Sequence, residues 1–226
     1  MGRGPVRYRE LLYRAIAAIA PRRRFLRDGP AGCNSVSLTF DDGPHPEHTP
    51  RLLDALGEHG VAATFFVIGR RARRYSGLLR RIASEGHEVG NHTFSHPAPE
   101  RLSARRLLAE VRHTDSLLAD ILGRETVLFR PPYGRVSAPQ LLGLWRAGKA
   151  VVLWDADPKD FARGSAEEVR EWFRGRPLRG GSLVLLHDDR PHAGAVLPHL
   201  VALARARGLS FTTVGMWAGC LSRSGP

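Results

Sequence analysis

The feature that most limits what this chain can fold into is the alternation of short, wholly apolar runs with amphipathic stretches. Residues 36–40, 61–68, 87–91, 127–129, 150–154, 182–186 and 210–214 read as strands. Between them, residues 49–59, 75–85, 103–122, 138–147, 166–174 and 195–207 carry apolar residues at helical spacing. In the first of these helices Leu52, Leu53 and Leu56 share a face and Gly60 closes it. In the longest, Ser103 is a candidate N-cap and Gly123 the stop. The strands do not alternate apolar with polar residues, so they are expected to be parallel and buried on both faces. About seven βα units in succession predict an α/β barrel or a doubly wound sheet. The simplest division is one domain over residues 28–226 behind an arm over residues 1–27, because no linker or repeat follows residue 28.

A hydrophobic fraction of 42% over 226 residues is enough for a substantial core. The net charge of +12 is unusual, and only Lys149 and Lys159 are lysines, so it is an arginine charge. The arm carries eight arginines against Glu10 alone, and Arg70, Arg71, Arg73 and Arg74 form a second cluster. Such patches suit nucleic acid, anionic lipid or an acidic substrate. Aromatic residues are not interleaved with them, so no nucleic-acid partner is expected. Leu11, Leu12, Ala15, Ile16 and Ile19 fall on one helical face. The arm is therefore expected to pack on the domain, with weak membrane-surface contact as the alternative. It does not read as a signal peptide, since its apolar run is short and three arginines follow. A cytoplasmic or inner-membrane-surface location is the corresponding expectation. Cys33 and Cys220 are expected to be free thiols unless the first strand and the C-terminal tail are neighbours.

The polar motifs all follow strands. Asp41 and Asp42 follow the first, His92 and His96 the third, and Arg130 and Tyr133 the fourth. Asp157 and Asp160 follow the fifth, and His187 and Asp188 the sixth. In a parallel barrel these strand ends converge on one face. Two histidines four apart on a helical turn have Cβ atoms about 6 Å apart, close enough to share a metal ion. With one carboxylate as third ligand, open positions remain for water, which marks a catalytic rather than a structural site.

Five segments, in order, resemble the motifs of the polysaccharide deacetylases (carbohydrate esterase family 4, the NodB-homology domain). They are Thr39-Phe40-Asp41-Asp42-Gly43-Pro44, residues 92–96, Arg130-Pro131-Pro132-Tyr133-Gly134, residues 157–161 and Leu185-Leu186-His187. The connecting Ala63-Thr64-Phe65-Phe66 and Gly86-His87-Glu88 fit as well. The resemblance implies a distorted, seven-stranded (β/α) barrel of TIM-barrel type and a divalent metal, usually Zn2+, with Co2+ or another ion as alternatives. It implies Asp42, His92 and His96 as ligands, Asp41 as general base held by Arg130, and His187 as general acid oriented by Asp160. The Tyr133 backbone N–H would face the oxyanion, and Leu185 the acetyl methyl. Where the family's fourth motif usually ends in Trp, this chain has Phe161. The smaller ring keeps an apolar wall but loses the indole N–H, so an altered substrate fit is expected. Asp157 reads either as a strand-end cap or as a second partner of Arg130.

The activity implied is removal of N-acetyl groups from N-acetylglucosamine units of an oligo- or polysaccharide by a monomeric enzyme. The alternatives are O-deacetylation or deformylation of another glycan or lipid-linked sugar, and a non-catalytic carbohydrate-binding protein of the same fold. A base and an acid together argue against the last, because binding needs neither.

Overall fold

The central strand is β2 (Ser35–Asp41), flanked by β3 (Thr64–Val67) on one side and β7 (Leu183–His187) on the other. These assignments come from a computed structural model that describes residues 4–219 apart from 22, without side chains for residues 4–10 and 12. Cys220 lies outside the described residues, as do Arg3 and Arg22 of the basic arm. The remaining strands are β1 (Phe25–Leu26), β4 (Glu88–Asn91), β5 (Leu128–Phe129), β6 (Ala150–Val152) and β8 (Ser210–Phe211). All pair in parallel, in the order β1-β6-β5-β4-β3-β2-β7, with β8 joining only the start of β2. The sheet curls until its ends meet. Ala156 bridges to Val184, and the Gly29 N–H donates to the Gly181 carbonyl at 2.7 Å. The result is the expected (β/α) barrel, distorted at this seam.

Helices wrap the outside: α1 (Gly4–Ile19), α2 (His48–His59), α3 (Gly69–Arg74), α4 (Ser76–Ser84) and α5 (Ala104–Leu122). They continue with α6 (Ala138–Arg146), α7 (Ala166–Gly175), α8 (His192–Arg205) and α9 (Val214–Ala218). The expected caps are present. The Ser103 side chain accepts from the Arg106 N–H, and Gly60 and Gly123 end their helices in the left-handed region. One large apolar cluster joins β2 and β3 to α2, α7 and α8. A second joins α1, α5 and α6. A third joins Leu26, Phe66, Leu128, Val152 and Leu183 with Trp217 of α9. These residues come from β1, β3, β5, β6 and β7, strands spread around the whole sheet, so they fill the barrel interior. Each such large apolar side chain stabilises the fold by about 1.5–3 kcal/mol.

Two expectations need correction. Phe25 and Leu26, placed in the arm, form β1 and are buried against β6. Two apolar residues after an arginine run are too short to show periodicity. The arginine cluster at 70–74 forms α3. The face of α1 that packs carries Tyr13, Ile16, Ala17 and Ala20, whereas Leu11 and Ile19 are 66% and 85% exposed. Among the described residues, no helix is long and apolar enough to cross a membrane.

Candidate active site

Each strand of the barrel ends at the same face, and the side chains just beyond those ends enclose a cavity of 450 Å³. Asp41, Asp42, His92, His96, Tyr133, Phe161, Leu185 and His187 all line it. The strand-end reading therefore brings together nearly every residue it singled out. The exceptions are Arg130, Asp160 and Asp188, which lie behind the wall.

Asp41 is the last residue of β2, and at Asp42 the backbone turns left-handed with φ 75°. That turn is pinned from outside. Ile68 N–H donates to the Gly43 carbonyl (3.0 Å) and Arg71 Nη1 to the Asp42 carbonyl (2.7 Å). His92 and His96 do not ride a helical turn, as their spacing suggests. They sit on an irregular loop after β4, with Thr93 and His96 left-handed at φ 66° and 59°. Thr93 N–H donates to Asn91 Oδ1, and His96 N–H to Thr93 Oγ1. The rings still converge, with centroids 4.9 Å apart. Among the described residues, every non-glycine residue of positive φ (Asp42, Thr93, His96, Tyr133 and Lys159) lies in or beside this cavity. Such conformations persist only where surrounding contacts impose them, and they concentrate at working sites.

Three ligand atoms, from Asp42, His92 and His96, lie within 4.8 Å of one another. Asp42 Oδ1 is 3.5 Å from His92 Nε2 and 3.3 Å from His96 Nε2, yet it is buried without a hydrogen bond. His92 Nδ1–H donates to the Arg130 carbonyl at 2.7 Å, which leaves the Nε2 lone pair facing Asp42. Burial, then the neighbouring His92, keeps His96 below the ordinary imidazole range and thus neutral. Burial works against the Asp42 charge, but His92, His96, His187 and Arg71 together hold its carboxyl below the usual range. Two imidazoles, the His92 Nε2 lone pair facing inward, and an ionised, unpartnered carboxylate oxygen are the donor set that a divalent cation fits.

Arg130 is wholly buried and spans the barrel interior. Its guanidinium donates to Asp41 Oδ1 (2.7 Å), Thr39 Oγ1 (2.7 Å) and the Leu153 carbonyl (2.9 Å), and it rests 4.1 Å from the Phe66 ring centre. Asp41 is thereby held by one oxygen while the other stays toward His92, 3.7 Å away. Opposite, His187 Nδ1 meets Asp160 Oδ1 at 2.7 Å, and the His187 N–H donates to Asp160 Oδ2 at 2.8 Å. Burial opposes the imidazolium, but the Asp160 hydrogen bond and charge, with Asp41 and Asp42, push His187 up to about 9. Asp157 does not hydrogen-bond Arg130. Its Oδ1 accepts from the Lys159 N–H (2.8 Å), so it caps the turn that carries Asp160. Asp188 packs behind Gly43 rather than in the cavity, with Thr49 Oγ1 donating to it at 2.6 Å.

The profile of the polysaccharide deacetylase family matches residues 28–152. The chain belongs to the polysaccharide deacetylase family. It is 34% identical over 191 residues to a peptidoglycan-N-acetylglucosamine deacetylase of Bacillus cereus, covering 82% of this chain and 69% of that one. It is 40% identical over 161 residues to a chitooligosaccharide deacetylase of Sinorhizobium fredii, covering 71% and 74%. Among solved structures, the peptidoglycan N-acetylglucosamine deacetylase Bc1960 superposes with a TM-score of 0.82 at 31% identity, over 86% of this chain and 92% of that one. Members of this family are generally metal-dependent, and Asp42, His92 and His96 offer this deacetylase such a site.

Several residues around the deacetylase site escaped the sequence. Trp154 walls the cavity and packs against Gly134, where a Cβ would lie 2.6 Å from the indole. Arg135, Lys159 and Arg190 complete the rim. Glu110 of α5 accepts from Phe94 N–H, Ser95 N–H and Ser95 Oγ, and so braces the histidine loop from below. Nothing in its spacing marks it, because a lone Glu on a long helix reads as solvated surface.

Proposed function

We propose that this polysaccharide deacetylase hydrolyses the acetamide of N-acetylglucosamine units in an oligo- or polysaccharide of the chitooligosaccharide or peptidoglycan kind. The observation that carries this reading is a carboxylate and a charged imidazole, each oriented by a buried partner, on either side of one cation-binding triad. A divalent cation held by Asp42, His92 and His96, with Zn2+ the first choice for this donor set, would polarise the acetyl carbonyl and acidify water beside it.

The chain's own groups do the rest. Asp41 takes a proton from the attacking water while Arg130 fixes its orientation. The Tyr133 N–H steadies the oxyanion of the tetrahedral state. His187, with Nδ1 committed to Asp160, gives its Nε2 proton to the amine nitrogen as the C–N bond breaks. Leu185 receives the acetyl methyl and Phe161 faces the sugar. All of these groups come from one chain, in keeping with a monomer. Weak contact of α1 with an anionic membrane surface belongs to the same reading.

Acetate release from N-acetylchitooligosaccharides and from peptidoglycan fragments tests the proposal. Release should be abolished by a chelator and restored by Zn2+ or Co2+. Asp41→Asn should lower kcat by about 10²–10⁴-fold with the metal content unchanged. No acetate from any N-acetylated glycan, with O-acetyl or formyl groups removed instead, would overturn it.

A further inference from the structure

On the far side of the Asp42–Pro44 turn lies a second cavity, of 460 Å³, lined chiefly by Pro44, His45, Arg70, Arg71, Arg74 and Tyr75. The arginine cluster that stands out in the sequence forms its wall. Arg70 and Arg74 are four residues apart on α3, so their side chains rise from the same side, about 6 Å apart at Cβ. Arg71, between them, is committed to the Asp42 carbonyl and to Asp189 Oδ2 (3.1 Å). It ties this cavity's floor to the turn that carries a metal ligand.

No carboxylate lines the hollow that Arg70 and Arg74 share. Arg81, Arg135, Arg170 and Arg174 each meet a carboxylate, as do Arg190 (3.4 Å) and Lys159 (3.9 Å) on the catalytic rim. Among the described residues, neither Arg70 nor Arg74 makes an ion pair, and both open into a concave surface. Arg74 also lies over the Tyr75 ring, 5.4 Å from its centre. A guanidinium fork presents paired donors that match a carboxylate, and two unpaired forks in a hollow concentrate that preference. The Pro44 and Tyr75 faces beside them suit the apolar face of a sugar ring.

We propose that this hollow is a subsite for a carboxylate carried by the glycan itself, near the unit being deacetylated. The preferred substrate class is therefore an acidic N-acetylated glycan rather than a neutral one. The inference rests on the deacetylase reading for the position of the cut amide, and it adds the charge of the neighbouring unit.

Calorimetric titration tests it without turnover. The ligands are neutral N-acetylchitotetraose, a hyaluronan tetrasaccharide bearing uronates, and a muropeptide bearing peptide carboxylates. At low salt at least one acidic ligand should bind wild type about tenfold more tightly than the neutral one, and the gap should shrink as salt rises. In Arg70→Glu/Arg74→Glu the gap should fall below about twofold, while Arg80→Glu/Arg105→Glu, the same charge change outside the hollow, should keep it. The acidic ligand whose gap collapses shows whether the carboxylate sits on the sugar or on its peptide branch. Equal binding of neutral and acidic ligands by wild type overturns the subsite, as does equal loss in Arg70→Glu/Arg74→Glu and in Arg80→Glu/Arg105→Glu. Acetate release from the neutral tetrasaccharide is read separately, so failure of the activity and failure of the subsite are distinct results.

Discussion

Arg130 and Asp160 lie behind the cavity wall, and each fixes the behaviour of a group in front of it. Arg130 contributes through hydrogen bonds to Asp41 and Thr39, and Asp160 through both its oxygens on His187. The second pairing has a measurable signature in pH. With Asp160 in place, His187 keeps its proton to about pH 9, so a step needing the imidazolium declines only as pH rises past that value. In Asp160→Asn the charge is gone and burial acts with less opposition, so the alkaline limb of kcat/KM should move down by about one pH unit or more. A cation at the triad lowers both proteins alike, so the difference between them is the quantity to compare. An unmoved limb would remove His187 from the role of acid. At this scale the sequence is easily read where chemistry needs a particular residue type, as with Asp41, Asp42 and His187. It is hard to read where the role is only to brace, as with Glu110, because any acceptor at that place in space would serve.

At the scale of elements, α5 is the scaffold of the candidate metal site. Glu110 holds the loop at Phe94 and Ser95, while Asn91 Nδ2 donates to the Val111 carbonyl and to Asp115. Glu110→Ala leaves a strong helix former in α5. It should weaken Zn2+ binding by about 10–100-fold, measured by competition with a chelating dye, with the circular dichroism unchanged. The spacing of His92 and His96 points to a shared metal for a reason the chain does not use. The loop is irregular, and α5 supplies the convergence that a helical turn would have supplied. At the other end, α1 turns Leu11, Ala15 and Ile19 outward while Tyr13 bonds Val136 through its hydroxyl. An electrostatic contact of this helix should co-sediment the protein with anionic vesicles at low salt and release it at about 0.5 M salt. Removing residues 1–20 should abolish that binding and leave the barrel folded. Removing residues 1–27 should lower thermal stability sharply, since it takes β1 away from β6.

For the whole molecule, the decisive feature is the seam. Seven parallel pairings hold the sheet, but between the segment after β6 and β7 the backbone is joined by the short bridge of Asp155 and Ala156 to Leu183 and Leu185, with Gly29–Gly181 just below. A Cβ on Gly29 would lie 2.7 Å from the Gly181 Cα and 2.9 Å from the Trp217 ring. Gly29→Ala should therefore destabilise the protein by about 1–3 kcal/mol, visible as a lower Tm. If Tm is unchanged, the seam does not limit stability. The parallel barrel is foreseeable from the unbroken apolar character of residues 36–40, 150–154 and 182–186, since both faces of those strands had to be covered. The seam is not, because glycines and two-residue strands carry no periodic signal and their pairing is decided by how far the sheet has curled.

The left-handed backbone at Asp42, Thr93, His96, Tyr133 and Lys159 also sets where heat resistance can be gained. Glycine relieves such conformations, and a search for hardier variants would find these positions early. Every one of them lines or braces the catalytic cleft, so each gain there would be taken from turnover. A lineage adapted to high temperature should keep all five and place its changes on the helices around the opposite end of the barrel. Thr93→Gly would show the cost directly, easing the backbone while removing the buried hydroxyl that accepts from the His96 N–H.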